Sequence, residues 1–217
     1  SFDLSSSVHR QNRLSALRAF ERAFPSGHPL SDRVALVIKP HNPNQPSPEW
    51  QRLKLQTESD SRVFVLDNSL TRKELFALHA ACDAFISLHR AEGFGRGIAE
   101  ALLLGLDVIA TDYGGNTDFC SGPLAHPVRA ELIPVLNGQS VYHRGQHWAQ
   151  ASTSHASELM QEVAKNRLVS SPVDTFLIDA YRKRFDPKSC GARYRKRLEA
   201  LWNDRAEVEQ RLRWRQR

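Results

Sequence analysis

Four short apolar runs constrain this chain more than anything else in it: VALVIK at 34–39, RVFVLD at 62–67, DAFISLH at 83–89 and DVIATD at 107–112. Each is rich in Val, Ile or Phe, and none alternates cleanly between apolar and polar residues. Strands read this way when both faces of their sheet are covered. Helical patterns separate the runs. Residues 13–24 place Leu14, Leu17, Phe20 and Phe24 on one face and stop at Pro25. In residues 70–82, Thr71 stands three ahead of Glu74, the spacing of a capping box. Residues 97–105 form a third apolar pattern, ending at Gly105. Strands alternating with helices predict an α/β fold with a Rossmann-like, doubly wound parallel sheet.

The rest of the chain is less regular. PHNPNQPSPEW (40–50) has four prolines in eleven residues and reads as a loop or irregular connection. Residues 121–148 mix Pro, Gly and short apolar pieces and give no clear pattern. Helices are expected at about 152–166 and 173–184. From Gly191 onward Tyr194, Leu198, Leu201, Trp202, Val208 and Leu212 recur at helical spacing, predicting an amphipathic helix with a basic outer face. The expected division is therefore an α/β domain over 1–190 and a basic C-terminal helix over 191–217. That helix packs on the domain or on one missing from this chain.

With 41% hydrophobic and 25% charged residues among 217, the chain can bury an ordinary globular core. Its net charge of +6 is unevenly placed: residues 181–217 hold 13 Lys/Arg against 5 Asp/Glu, and residues 1–180 hold 17 against 19. A near-neutral body argues against nucleic-acid binding, which needs a basic face there too. The basic tail has a second reading, attraction to an anionic membrane surface. Cys82, Cys120 and Cys190 lie far apart and read as reduced structural thiols. No run approaches the roughly 18 apolar residues of a membrane span. The opening SFDLSSSVHRQNRL lacks the features of a signal peptide and resembles the end of a strand. We therefore expect a cytoplasmic protein, possible contact with the inner membrane face included, whose chain continues upstream of Ser1.

The chemistry concentrates in HRAEGFGRGIAEALLLG (89–105). The loop RAEGFGRG joins an apolar strand to an apolar helix, the place where open parallel sheets bind ligands. Gly93 and Gly95 let main chain approach a ligand, and the helix behind them presents unpaired N–H groups suited to phosphate. A dinucleotide site is one reading, with Asp112 as the ribose acid, but Ile98 occupies the third glycine position and Glu92 would repel a pyrophosphate. The carboxylates suggest a different ligand. Glu92 and Glu100 stand eight apart, and carboxylates suit hydroxyl groups better than phosphates. A nucleotide sugar offers hydroxyls at both ends and phosphates between them. Glu100 would take the ribose, the helix N-terminus the diphosphate, and Glu92 with the glycine backbone the second sugar.

The run SLHRAEGFGRGIAEALLLGLDVIATDYGGNTDF (87–119) closely resembles the C-terminal domain of glycosyltransferase family four, the retaining GT-B enzymes. FDLSSSVHRQNRLSALRAFERAFP (2–25) is similar to that family's first strand, phosphate loop and helix. IPVLNGQSVYHRGQHWAQAS (133–152) resembles a segment of its bacterial members that build surface polysaccharides such as lipopolysaccharide. The resemblance implies the donor-binding, C-terminal half of a GT-B fold, with acceptor binding on an N-terminal domain missing here. It implies that Glu92 lies beside the transferred sugar as the catalytic position and that Glu100 holds the ribose. Gly93, Phe94 and Gly95 would contact sugar and phosphate, Leu66 would meet the base, and Tyr113, Gly114, Gly115 and Asn116 would line the cleft. It implies transfer of a hexose, mannose among the candidates, to a saccharide or lipid-linked acceptor. No metal and no cofactor are expected, the nucleotide sugar being a substrate, so cations and N–H dipoles must meet the leaving-group charge.

The sequence departs from the family at one cation. The usual Lys of an RKN run is Gln11, between Arg10 and Asn12. Arg10 or Arg13 is a substitute for it on one side, Arg90 or Arg96 on the other. Failing these, the domain is a catalytically silent binding module. Plainer readings stand beside each assignment: Glu100 paired with Arg96, Glu92 capping the helix, Gly114 and Gly115 forming a turn, Arg10 a surface charge, His89 a packed histidine and Asp118 a cap.

Overall fold

The computed structural model describes residues 2–3, 8–42, 48–135, 143–169 and 175–214. It therefore leaves aside residues 4–7 of the expected phosphate loop, much of 133–142 and the last three residues. The chain runs β1 (Phe2–Asp3), α1 (Val8–Gln11), α2 (Arg13–Ala23), β2 (Leu36–Ile38), β3 (Pro40–His41), α3 (Pro48–Thr57), β4 (Val63–Val65), α4 (Arg72–Ala80), β5 (Ala84–Ser87), α5 (Arg96–Leu103), β6 (Asp107–Thr111), β7 (Ala125–Val128), β8 (Ala130–Pro134), β9 (His147–Ala151), α6 (Thr153–Val169), α7 (Thr175–Phe185) and α8 (Pro187–Trp214). Two compact units divide it, Ser1–Val173 and Asp174–Arg217, so α7 groups with the tail helix, ahead of the 190/191 boundary expected from composition.

All four apolar runs are strands, and they pair in parallel. β2 pairs with β4 and β1 with β3, while β6 lies between β5 and β7. All five residues of β6 are buried, as a central strand covered on both faces requires. One face packs on α2 and α6, where Leu17, Phe20, Met160 and Val163 meet Ile38, Leu88, Ile109 and Val128. Phe85 turns to the other face, edge-on to His79 of α4 at 5.5 Å. The capping box forms as its spacing predicts: Thr71 accepts from the Glu74 amide and the Glu74 carboxylate accepts from the Thr71 amide at 2.7 Å.

Two stretches differ from expectation. The proline-rich 40–50 segment is only partly a loop. Pro40 and His41 pair with β1, and α3 begins at Pro48, since a proline in the first helical turn loses no hydrogen bond. The unclear 121–148 stretch contains β7, an edge strand that tolerates Pro127, and β8, which pairs antiparallel with β9. The base of the sheet is tied by one carboxylate: Asp107 accepts from His126 Nε2 and Arg167 Nε, both at 2.6 Å. In the second unit α7 packs on α8, and Tyr194, Leu198 and Trp202 of α8 are exposed. No described helix is long and apolar enough to cross a membrane.

Candidate functional site

The loops at the carboxyl ends of β5 and β6 meet loop on loop. Gly115 donates its amide to Glu92 O at 2.8 Å. A Cβ on Gly115 would lie 1.8 Å from Gly93 O, and one on Gly114 would lie 2.6 Å from Glu92 O. Gly114 also has φ +100°, a region closed to most residues. Both glycines are thus required by contact between the two loops. By contrast a Cβ on Gly93 would meet nothing within 4 Å, so the space above this loop is open there.

His89 anchors this junction from below. It is 2% exposed, and Nε2 lies 3.0 Å from Tyr113 O and 3.1 Å from Asn116 Oδ1. Asn116 Nδ2 donates to Thr111 O at 3.0 Å, which orients the amide so that Oδ1 faces the imidazole. With two acceptors before it, Nε2 carries the proton, and Nδ1 accepts from Ser87 Oγ at 2.9 Å. Burial lowers the pKa of His89, outweighing the hydrogen bonds to Tyr113 O and Asn116 that raise it. A neutral histidine in one tautomer therefore pins the Tyr113–Asn116 turn. The Asn116 side chain, 1% exposed, is spent on the same framework, so this expected ligand contact holds the turn instead of presenting its amide.

Arg10 answers the charge problem of Glu92. Its Nη1 donates to Ala91 O at 2.9 Å and to Glu92 Oε2 at 3.2 Å. The pair is 19% and 29% exposed, worth up to about 1 kcal/mol. More importantly, it offsets the carboxylate charge beside the glycine turn. Gln11, in the position of the usual Lys, accepts from Arg13 Nε at 3.1 Å and Nη2 at 2.9 Å. Asn12 takes a left-handed φ of 50° and donates to Leu88 O at 3.0 Å, holding this turn against β5. Arg90 binds a third segment: Nη1 donates to His9 O, Nε and Nη2 to Gln150 Oε1, and its guanidinium lies 5.4 Å from the Trp148 ring centre.

α5 opens at Gly95, φ +88°, with no side-chain cap, so the first N–H groups of the helix are not claimed by a capping side chain. Gly97 lets this turn settle on β5, since a Cβ there would lie 2.9 Å from Phe85. Glu100 is half-buried one turn further on; its carbonyl accepts from the Leu104 amide at 3.1 Å, while its carboxylate takes part in no ion pair or hydrogen bond among the described residues. The plainer pairing with Arg96 is absent there. Phe94 is 47% exposed and stacks on buried Phe119 at 4.8 Å. Leu66 closes β4, its amide donating to Ile38 O at 3.0 Å.

A family model for glycosyl transferases of group 1 matches residues 7–131. The chain belongs to the group 1 glycosyltransferases. Among solved structures it is similar to Anabaena Alr3699/HepE, crystallised with UDP, at 16% identity and TM-score 0.61 over 92% of this chain and 48% of that one. WaaG, a glycosyltransferase involved in lipopolysaccharide biosynthesis, matches at 16% identity and TM-score 0.53 over 86% and 42%. The pneumococcal O-GlcNAc transferase GtfA, crystallised with UDP and GlcNAc, matches at 12% identity and TM-score 0.57 over 93% and 35%. At these identities the likeness is one of fold, the Rossmann-like α/β architecture of GT-B enzymes. The chain spans less than half the length of each of these proteins. No curated protein sequence matches it.

Sequence reasoning brought Arg10, Glu92 and the 93–95 and 113–116 loops to one end of the sheet, where the structure has them. It missed Arg90 as the link to Gln150 and Trp148, because nothing in the spacing of residues 60 apart announces that contact.

Proposed function

We propose that this chain is the donor-binding half of a retaining, metal-independent hexosyltransferase that uses a nucleoside-diphosphate sugar. The observation that carries the reading is the pairing of an uncapped α5 N-terminus with a free Glu100 carboxylate one turn along it. The helix N–H groups and the amides of Gly93, Phe94 and Gly95 receive the diphosphate, and Glu100 accepts from the ribose hydroxyls. Leu66 borders the base, and Tyr113 with Gly114 and Gly115 closes the side of the cleft. Glu92, charge-balanced by Arg10, stands beside the transferred sugar and stabilises positive charge developing at its reacting carbon. Two solved structures of similar fold carry UDP, which supports a nucleotide as ligand. The acceptor, a saccharide or a lipid-linked one as in building a bacterial surface polysaccharide, binds across the cleft from the donor, and residues 1–217 by themselves transfer no sugar. Mannose is one candidate for the hexose. The basic helix α8 gives the protein its contact with the inner membrane face.

The test is thermal unfolding with UDP, GDP and ADP and their sugars at millimolar concentration. At least one nucleotide raises the melting temperature, and Glu100→Ala weakens its binding by roughly 10- to 100-fold, the range for a hydrogen bond to a charged group. No stabilisation by any of them refutes the proposal. A second reading, a binding module without transfer chemistry, is favoured by one contact: Gln11 carries no charge and is occupied by Arg13. Turnover by the full-length protein that appears only on Gln11→Lys would establish that reading; turnover without it would exclude it.

A further inference from the structure

Arg90 stands two residues before Glu92, yet the bonds of its side chain lead away from the glycine turn. Nε and Nη2 both donate to Gln150 Oε1, at 2.9 and 2.7 Å, and Nη1 donates to His9 O at 2.8 Å. Its main chain is tied to the same two segments. The amide donates to Arg10 O at 2.7 Å, and the carbonyl accepts from Ala149 N at 2.9 Å. The oxygens that receive these bonds are uncharged, so they fix where the guanidinium lies without cancelling its charge.

What Arg90 holds on one side is α1, a helix of four residues. A single helical turn does not hold its own shape in water. Its place comes from Asn12, which donates to Leu88 O, and from the bonds of Arg90 to the carbonyls of His9 and Arg10. The second carbonyl belongs to the residue whose guanidinium reaches Ala91 O and Glu92 Oε2. On the other side Arg90 is held by β9. Gln150 is fixed opposite Glu131 in the β8–β9 ladder, and the Trp148 ring centre lies 5.4 Å from the guanidinium carbon. A flat fork suits one amide oxygen, one carbonyl and one ring face together, and an ammonium group does not.

We propose that Arg90 is a positioning residue for the donor: held by Gln150 and Trp148 of β9, it sets α1 so that Arg10 meets Glu92. It acts through Arg10, by its geometry and not by its charge, and does not itself touch the nucleotide sugar. The inference rests on the donor-binding reading above and adds the β8–β9 hairpin to it, as the support on which the Arg10–Glu92 pair depends.

The test measures, by calorimetry, affinity for whichever of UDP, GDP and ADP stabilises the parent chain most. Arg90→Lys keeps the charge and loses the fork. Gln150→Glu keeps the acceptor geometry and cancels the charge. The expected result is that Arg90→Lys and Gln150→Leu each weaken binding about tenfold, and Gln150→Glu by less than about twofold. In an Arg10→Ala chain, Arg90→Lys should cost less than about a further twofold, as required of a residue that acts through Arg10. Arg62→Ala loses comparable bonds, to Asp60 and Phe24 O, and should lower the melting temperature without changing affinity. The opposite ranking, Arg90→Lys near the parent and Gln150→Glu much weaker, overturns the proposal in favour of a role for charge. Losses that add in full in the Arg10→Ala chain overturn it, as does affinity that simply follows melting temperature, Arg62→Ala included. If Arg90→Lys does not fold, Gln150→Leu against Gln150→Glu decides the same question. A parent chain that binds none of the three nucleotides overturns the donor reading and this inference together; with a parent that binds, the other adverse results overturn this inference alone.

Discussion

Gly115→Ala tests the contact between the two loops most directly. The added Cβ would sit 1.8 Å from Gly93 O and 2.7 Å from the Gly93 carbonyl carbon, both main-chain atoms that no side-chain rotation can move aside. Carbon–oxygen contacts below 3.0 Å do not persist, so the loops must part by more than an ångström. Forced overpacking costs about 1–3 kcal/mol. Parting also breaks the 2.8 Å hydrogen bond from Gly115 N to Glu92 O, worth a further 0.5–1.5 kcal/mol or so. Together the loss is about 2–4 kcal/mol. At roughly 2–4 °C per kcal/mol for a unit of this size, the melting temperature falls by about 5–15 °C. Gly93→Ala is the control, since its Cβ meets nothing within 4 Å, and it should melt within about 2 °C of the parent chain. Differential scanning fluorimetry reads both. A Gly115→Ala protein that melts with the parent would refute the loop-on-loop packing, and equal losses in both variants would show that the contact does not discriminate.

Arg10→Ala should cost no more than about 1 kcal/mol in urea melts, because its ion pair is partly solvated, yet weaken nucleoside-diphosphate protection about tenfold by leaving Glu92 uncompensated; undiminished protection would remove Arg10 from the site. Asp107 is a different case. Burial pushes its carboxyl pKa up, but the bonds from His126 and Arg167 outweigh burial and leave it below the ordinary value of 3.8. A depressed folded pKa means stability that is full above the unfolded value and lost as pH falls through the folded one, so melts from pH 5 to pH 2 should decline more steeply for the parent than for Asp107→Asn, which should be about 2 kcal/mol less stable at pH 7.

The strands were legible because each is a short, dense apolar run, and two-sided burial leaves its imprint on every residue of it. Helix α4 was legible for a local reason, since Thr71 and Glu74 are three residues apart and satisfy one another. Helix α3 was not, because Pro48 resembles its neighbours Pro43 and Pro46, and only the geometry of a helix start distinguishes its place. β7 hid behind Pro127 for the same cause, edge position being a property of the whole sheet. At the site, the glycines and glutamates marked the loop after β5, but the reason for Gly114 and Gly115 was not legible. A turn and a contact against a second loop call for the same residue. Neither the Arg10–Glu92 pair, 82 residues apart, nor the meeting of Asp107, His126 and Arg167 has any local signature.

Arg90 joins chain segments around residues 9, 90 and 150, and its own amide and carbonyl are bonded to Arg10 O and Ala149 N. Fluctuations at this rim therefore cannot be independent. Detaching any one strip of chain forfeits guanidinium bonds shared with the others, so the rim opens as one cooperative unit or stays shut.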